Sequence, residues 1–582
     1  MTGYREFFVG KRTGTYADTL AAVGLTKMLR ALQGGDGSLV TVTEQSSRFC
    51  VELAEPIELN AERVSILQRE PLYSFIVTKP GENAPDGIVP YDYVANKAIA
   101  DAYREERKRK KGGEEREELP NVSPRFYVYQ KVNVLQGISA RNKLLEEIVY
   151  AKPEELAQAV IAKLKALANG QLTSEAATKF NPKVAAVQVF NPSVGKGINR
   201  LKADGATRGP LPSSFVDWFE EWLRFIGSDV VLSGNSIGDD IKMNVVVPAK
   251  ASYRHLNELE EHKFSYVRTS RKADILAVFD LVLFLVSKVD VSTDAFWSFR
   301  MQVGETPRDI FSAVQTAYFK SLGSAKPISN IASIGLPHWF KVRDEADIAR
   351  WETLIKEHRD VLFLLDEDKT EEAELLHLYR DFLSGDDWLS FLRFLGSYGC
   401  WSMKRREAKK PMRSFVKNHL EELFTLSQPR LPVVDIINNS GFQNIAKAIR
   451  QATVSEQYVK AKGRQIFEVK YGLFQEIKRK AKFREELLTV ISDFISQFNY
   501  ENARREEQLR EAPGRRRKRV SMQDLQEFAE LMDRFPSQKE TEAMAMLLIA
   551  FASCKDGKGT DADTDTEDQE VDLAYTSEEE EI

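Results

Sequence analysis

The stretch from Phe442 to Asn502 constrains this chain more than any other, because three successive runs in it are apolar on one arc of a helix and polar or basic on the other. In the first, Phe442, Ile445, Ala446 and Ile449 recur at helical spacing, while Gln443, Lys447 and Arg450 fall on the opposite arc. The second spans Phe467 to Phe483, with Val469, Leu473, Phe474 and Ile477 inward and Lys470, Lys478, Arg479 and Lys482 outward. The third, Glu485 to Tyr500, is apolar through Leu488, Ile491, Phe494, Ile495 and Phe498. Residues 401–520 hold 27 Lys and Arg against 14 Asp and Glu, a local net of +13 in a chain whose overall balance is −5. Lys447, Arg450, Lys470, Lys478, Arg479, Lys482 and Arg484 thus form a candidate stripe for a nucleic-acid backbone. Arg515 to Arg519, RRRKR, offers either further phosphate contacts or only solubility.

The last segment, Lys555 to Ile582, reverses the sign, with 2 Lys against 12 Asp and Glu. Its few apolar residues build no core, so residues 555–582 read as a disordered acidic tail. Such a tail can shield the basic block from stray nucleic acid, an electrostatic autoinhibition that salt erases.

At 582 residues, 43% hydrophobic and 29% charged, the chain reads as a multidomain globular protein. The longest apolar run, Ile275 to Val286, contains Asp280 and falls short of the roughly 20 residues that span a bilayer. No partner membrane is expected. Met1 to Val9 carry no signal-peptide core, and Cys50, Cys400 and Cys554 are odd in number and far apart. They imply a reducing, cytoplasmic setting with the cysteines as small core fillers and no structural zinc.

The expected fold class is an α+β N-terminal region followed by an all-α helical bundle. Residues 1–103 read as an α/β domain: a helix over Gly14 to Leu32, a strand-turn-strand over Leu39 to Leu53, and strand-like LYSFIV at 72–77. Residues 104–120, where REERKRKK gives way to GGEEREE, read as a charged linker or loop. Residues 121–400 read as mixed α/β and then helical. They begin with a strand at Arg125 to Leu135, a long helix over Asn142 to Ala168 and a strand at Val184 to Pro192. A Gly- and Lys-rich loop (193–209), a helix over Phe215 to Ile226 and a strand at Lys242 to Val247 come next, and the remainder is expected to be helical. Residues 401–554 form the basic helical bundle. Trp218 and Trp222, four apart, share one helix face and read as core.

Three patterns in order and spacing resemble the C-terminal part of the large subunit of type I CRISPR Cascade complexes. They are F-x-x-I-A-x-A-I-R at Phe442 to Arg450, E-V-K-Y-G-L-x-Q-E-I-x-R-K-A at Glu468 to Ala481, and D-F-I-x-x-F-N-x-E-N at Asp493 to Asn502. Helices over Asp524 to Phe535 and Glu542 to Ser553, and the opening helix, continue the resemblance over roughly half the chain. The resemblance implies a non-catalytic subunit without cofactor. It would bind the guide crRNA and other Cascade subunits, read the protospacer-adjacent motif on target double-stranded DNA, aid R-loop formation and hold the displaced strand along a small-subunit-like bundle. A nuclease-helicase or transposition proteins would be recruited in trans. The Gly-rich loop is then the candidate motif reader: Lys196, Gly197, Asn199, Arg200, Lys202 and Arg208, with Gln188 before it. It is no Walker A, because Phe190 stands where the first glycine belongs and Gly197 where Ser or Thr follows the lysine. Some relatives make a separate small subunit from an internal start, for which Met403 or Met412 is placed.

Two other classes compete. Gly34-Gly35-Asp36-Gly37 and Ile237-Gly238-Asp239-Asp240 resemble turns of metal-dependent palm-type polymerases, although neither has further acids in a convincing partner motif and both read as ordinary tight turns. None of the six histidines is followed by Asp, as a nuclease of the HD type would require, and His255, Glu258 and His262 lie in a heavily charged helix that reads as a solvated face. The other rival is a general RNA-binding scaffold that ignores the flanking motif.

Overall fold

The computed structural model describes residues 3–34, 40–110, 122–194, 216–263, 272–287, 305–323, 325–463, 467–508 and 517–555. The chain divides into two compact units, Met1–Leu336 and Pro337–Ile582. The first mixes strands and helices and the second is built of helices, so the expected fold class is present. The boundary expected near residue 400 falls inside one continuous helix, Trp388–Glu407.

The N-terminal unit carries ten strands among its described residues: β1 (Tyr4–Gly10), β2 (Val40–Glu44), β3 (Arg48–Ile57), β4 (Phe75–Val77), β5 (Pro90–Asp92), β6 (Leu232–Ile237), β7 (Asp240–Pro248), β8 (Lys250–Ser252), β9 (Phe311–Phe319) and β10 (Ile328–Gly335). Two four-stranded antiparallel sheets run in the orders β1-β3-β2-β8 and β10-β9-β7-β6. In the first, Val42 faces Val51, and Val40 and Val42 are buried while Thr41 and Thr43 are half-buried, the period of two that a one-sided sheet requires.

Helix Tyr16–Gln33 crosses helix Trp218–Val231 at glycines. A methyl on Gly24 would collide with the Leu223 carbonyl, and one on Gly227 with that of Leu20. Close approach lets both helices bury nearly every side chain, Trp218 and Trp222 included. The burial extends to charges, most of them paired, while Asp18 is held by the Thr13 hydroxyl and the Thr13 and Gly14 N–H groups. Arg224 bonds Glu220 at 3.0 Å and also Glu221, Arg141 meets Asp229 at 2.9 Å, and Lys163 meets Asp217 at 2.9 Å. Asp217 also caps its helix by accepting from the N–H groups of Phe219 and Glu220.

Several local expectations fail here. Residues 125–135 are helix Pro124–Val134, not a strand: Pro124 sits at a helix start, and Phe126, Tyr129, Val132 and Leu135 are buried at three-residue spacing. The long helix breaks into Gly137–Val149 and Pro153–Ala168, because the residue before a proline disfavours helix. The stretch 184–192 forms no strand; Phe190 and Asn191 donate back to the Val187 carbonyl at 2.9 Å, a turn that tucks Val189 and Phe190 into the core. The basic half of the charged linker, through Lys110, continues helix Tyr93–Lys110, while 111–121 lie outside the described residues. Strands β9 and β10 occupy a region expected to be helical.

In the C-terminal unit, helix Gln538–Ser553 is apolar and covered all round from Ala543 to Ala552, each of these residues being at most 4% exposed. Helix Trp388–Glu407 lies on it through Gly396, against Met546, and Gly399, against Ile549. Helices Ser440–Ala452, Leu473–Lys480 and Arg484–Gln508 pack on it as well. The second of these is shorter than expected, because residues 467–472 leave the helical path. Phe467 N–H bonds the Glu456 carboxylate at 3.0 Å and Lys470 N–H the Ala452 carbonyl at 2.9 Å. A chain begun at Met403 or Met412 would lack most or all of helix Trp388–Glu407 and leave Gln538–Ser553 uncovered on the side of Met546 and Ile549. All three cysteines are buried and unbridged.

Replacing Gly24 or Gly227 by Ala should lower the stability of the N-terminal unit by about 1–3 kcal/mol in urea unfolding, the usual range for overpacking. Gly385→Ala, which meets open space at a helix end, should be neutral or stabilising.

Candidate nucleic-acid interface

The seven cations expected to form one stripe separate into an outer and an inner group. Lys447, Lys478, Arg479 and Lys482 are exposed. Lys478 Nζ donates to Ser397 Oγ at 2.8 Å, which ties helix Leu473–Lys480 to helix Trp388–Glu407. Lys470 turns along the bundle to Glu501 at 2.7 Å, and Arg484 pairs with Asp533. Arg450 is the clear correction. It is 9% exposed and its guanidinium donates to the carbonyls of Ala552, at 3.3 Å, and Cys554. Those carbonyls end helix Gln538–Ser553, where a cation satisfies orphan acceptors and the negative end of the helix dipole. Arg450 is therefore a cap, and its arc faces a neighbour rather than water. Arg517 is likewise buried, stacked 3.6 Å over Phe467 and paired with Glu456 at 3.0 Å; Arg515 and Arg516 lie outside the described residues.

The bundle compensates with cations that lie before the Phe442–Asn502 stretch or between its helical runs. Helix Trp388–Glu407 ends in Lys404, Arg405 and Arg406, with exposed Lys409 and Lys410 just beyond. Lys478, bonded to Ser397, stands about two turns before Lys404 along this helix, and although burial pushes the Cys400 thiol between them up to about 11, both lysines pull it back. Gln457 Nε2 donates to the Met403 carbonyl at 3.1 Å and Arg406 lies 5.6 Å over Tyr458. Helix Val454–Ala461 therefore brings exposed Lys460 and Lys462 to the same end. The result is a cationic surface running from Lys478 through Lys404 to Lys410 and Lys460. The local charge count contains it; what hides it is that KRREAKK closes an apolar helix outside the signature block.

One exposed aromatic stands within this charge. Phe483 is 60% exposed between Lys482 and Arg484, just past helix Leu473–Lys480. It lies off the buried Phe474, Ile477 and Ala481 face, and that break in the period is the sequence signal for it. An outward aromatic flanked by cations can stack a base while the cations hold adjacent phosphates.

In the N-terminal unit, the expected motif readers Lys196, Gly197, Asn199, Arg200, Lys202 and Arg208 lie outside the described residues, as does Asp36. Gln188 is described: its Nε2 donates to the Lys326 carbonyl at 3.0 Å. Lys326 Nζ in turn donates to the Asp239 carbonyl at 2.9 Å and Ser321 Oγ at 2.6 Å. The segment leading to the Gly-rich loop is thereby fastened to the β9–β10 hairpin tip, where Leu322 is 59% exposed beside exposed Lys320. The Gly238-Asp239-Asp240 turn is part of this arrangement. Partial burial opposes ionisation of Asp240, but the Ser321 N–H at 2.6 Å and the Tyr318 hydroxyl at 2.5 Å outweigh it and hold the pKa below the ordinary carboxylate value. Asp240 serves the hairpin. His255 is similarly engaged, its Nδ1 accepting from the Ser252 N–H at 3.1 Å.

Among the described residues no helix is long and apolar enough to cross a membrane, and no group of three His, Cys, Asp or Glu is placed to hold a metal ion. No family model matches the chain, and no curated protein matches its sequence.

Arg450→Met should cost about 2–3 kcal/mol, the scale of hydrogen bonds to a buried charged group, and leave nucleic-acid affinity unchanged where the protein is folded. Lys478→Ala/Arg479→Ala/Lys482→Ala should do the reverse: stability unchanged within about 0.5 kcal/mol per site and single-strand affinity reduced at least about tenfold. Thermal melts paired with a filter-binding titration separate the two.

Proposed function

We propose that this chain is the non-catalytic large subunit of a type I CRISPR interference complex, acting with a guide crRNA and the other Cascade subunits on target double-stranded DNA. The observation that carries the reading is the placement of the three signature segments. They fall on helices Ser440–Ala452 and Arg484–Gln508 and, from Leu473 on, helix Leu473–Lys480, which share helix Gln538–Ser553 as their apolar floor; Lys447, Lys478 and Arg479 turn outward from these helices and Lys482 from the turn before Arg484. A bundle of that form suits a displaced strand, which needs phosphate neutralisation along its length and tolerates any base sequence. Phe483 offers the stacking platform.

Reading of the protospacer-adjacent motif belongs to the N-terminal unit in this proposal. Gln188 is the described member of that set, fixed by its bond to the Lys326 carbonyl at the root of the Gly-rich loop. With its Nε2 so engaged, Gln188 would accept from a base edge through its Oε1, whereas exposed Lys320 would position the duplex through phosphates. Guide pairing supplies the remaining specificity, by analogy with single-protein guided effectors. Once the duplex opens, the displaced strand passes to the basic bundle, and a nuclease-helicase or transposition partner acts in trans. Asp240, committed to Tyr318 and Ser321, supports this non-enzymatic role over a palm-type polymerase or nuclease.

The test is selection of target duplexes with a randomised flank, using the protein assembled with its guide RNA and partner subunits. A few flanks should be enriched at least about tenfold, each mismatched base costing about 1–3 kcal/mol. Gln188→Ala and Lys196→Ala/Arg200→Ala should erase the preference. Binding that ignores the flank would replace motif reading by the scaffold alternative, and metal-dependent turnover lost in Asp239→Ala would replace it by an enzyme.

A further inference from the structure

The C-terminal unit closes with a contact that fixes where the acidic segment leaves the fold. Lys555 N–H donates to the Phe415 carbonyl at 2.8 Å and Lys417 N–H to the Lys555 carbonyl at 2.8 Å, a parallel bridge between Val416 and Lys555. Two residues earlier, the Ser553 carbonyl accepts from Arg406 Nη2 at 3.4 Å, and the same nitrogen donates to Ser414 Oγ at 2.8 Å. The exit therefore lies at the cationic end of helix Trp388–Glu407, beside Lys409, Lys410 and Arg413 rather than at a remote point of the surface.

The segment beyond this exit is complementary in sign and ample in length. Residues 556–582 carry 12 Asp and Glu against one Lys, with seven of the acids between Asp561 and Asp572 and four more in Glu578 to Glu581. At about 3.3 Å per residue, the first seventeen reach at most about 56 Å, enough to cross the surface from Lys410 to Lys404 and Lys460. Facing them are Lys404, Lys409, Lys410, Lys460 and Lys462, all exposed, with Arg405 half-buried among them. The described acids around it include Glu371, already 2.7 Å from Lys404, Glu407, and Asp360, which is paired with Arg413 beside the exit.

We propose that the acidic segment 556–582 docks across the Lys404–Lys410 and Lys460–Lys462 surface and there competes with nucleic acid as a built-in polyanion. Tethering raises its local concentration to about the millimolar range, so an attraction too weak to matter between free molecules occupies the site when no strand is present. A long strand displaces it, because many phosphates release more counterions than one short segment. Salt weakens both, since Lys404, Lys409, Lys410, Lys460 and Lys462 are exposed. The effect is selectivity for long or guide-presented strands over stray ones. The competition half rests on the proposed nucleic-acid function; the docking half does not.

Two measurements separate those halves. A synthetic 556–582 peptide is titrated by fluorescence anisotropy, at ~50 mM salt, into the protein ending at Lys555. Saturable binding is expected, abolished by Lys404→Glu/Lys409→Glu/Lys410→Glu and kept by the control Lys143→Glu/Lys165→Glu in the N-terminal unit. Absent binding, or binding untouched by the triple substitution, overturns the docking. The full chain and the protein ending at Lys555 are then compared on a single-stranded DNA of random sequence. The shortened protein should bind at least about tenfold tighter at ~50 mM salt and equally at ~500 mM. Equal affinity at low salt overturns the competition. A shortened protein that binds no DNA at all overturns the proposed nucleic-acid function, and the peptide result stands without it.

Discussion

Burial of a single apolar helix, Gln538–Ser553, holds the cationic surface of the C-terminal unit in place. Its sequence, EAMAMLLIAFAS from Glu542 on, has no polar face to give to water, so it is stable only when other helices cover every side. Those helices each have one apolar arc. Packing that arc inward turns the remaining residues outward, and where these are lysines and arginines a cationic surface results without any attraction among the charges. Gly396 and Gly399 let helix Trp388–Glu407 come close to the central helix, and Lys478 reaches the same helix at Ser397.

The same packing sets a limit on how many cations remain available. Arg450 and Arg517 are as basic as any residue of the block, yet one caps the central helix and the other is sealed between Phe467 and Glu456. A buried guanidinium persists only where hydrogen bonds and a counter-charge replace its water. The N-terminal unit obeys the same rule at its own crossing, where Arg224, Arg141 and Lys163 are buried with Glu220, Glu221, Asp229 and Asp217. Net charge thus overstates the cationic surface open to solvent, and the exposed lysines define it.

Much of this architecture is legible in the residues. The period of Phe442, Ile445 and Ile449 marks a helix because one face is covered, but period alone does not say whether the opposite arc meets water, and for that reason Arg450 reads as outward when it is buried. Aromatic and branched residues at 125–135 favour strands by propensity, while the observed helix arises from Pro124 at its start and from core contacts such as Tyr93 stacked on Phe126 at 5.2 Å. Strands β9 and β10 are faint in the sequence because FSAVQTAYF and ISNIASIG alternate weakly, and β7, the strand on the other side of β9, is buried along most of its length. Phe483 and the Lys404–Lys410 cluster are visible as a break in period and a charge run, but their convergence is set by the tertiary contacts.

The central claim is that Lys478, Arg479 and Lys482 contact phosphates directly, and the salt dependence of single-strand binding tests it most directly. Each lost contact to a single strand removes about 0.7 from the slope of log affinity against log salt. The account predicts that Lys478→Ala/Arg479→Ala/Lys482→Ala flattens that slope by about 2 with the fold intact. An unchanged slope would mean that these cations do not touch the strand, and the basic face would lose its assigned role.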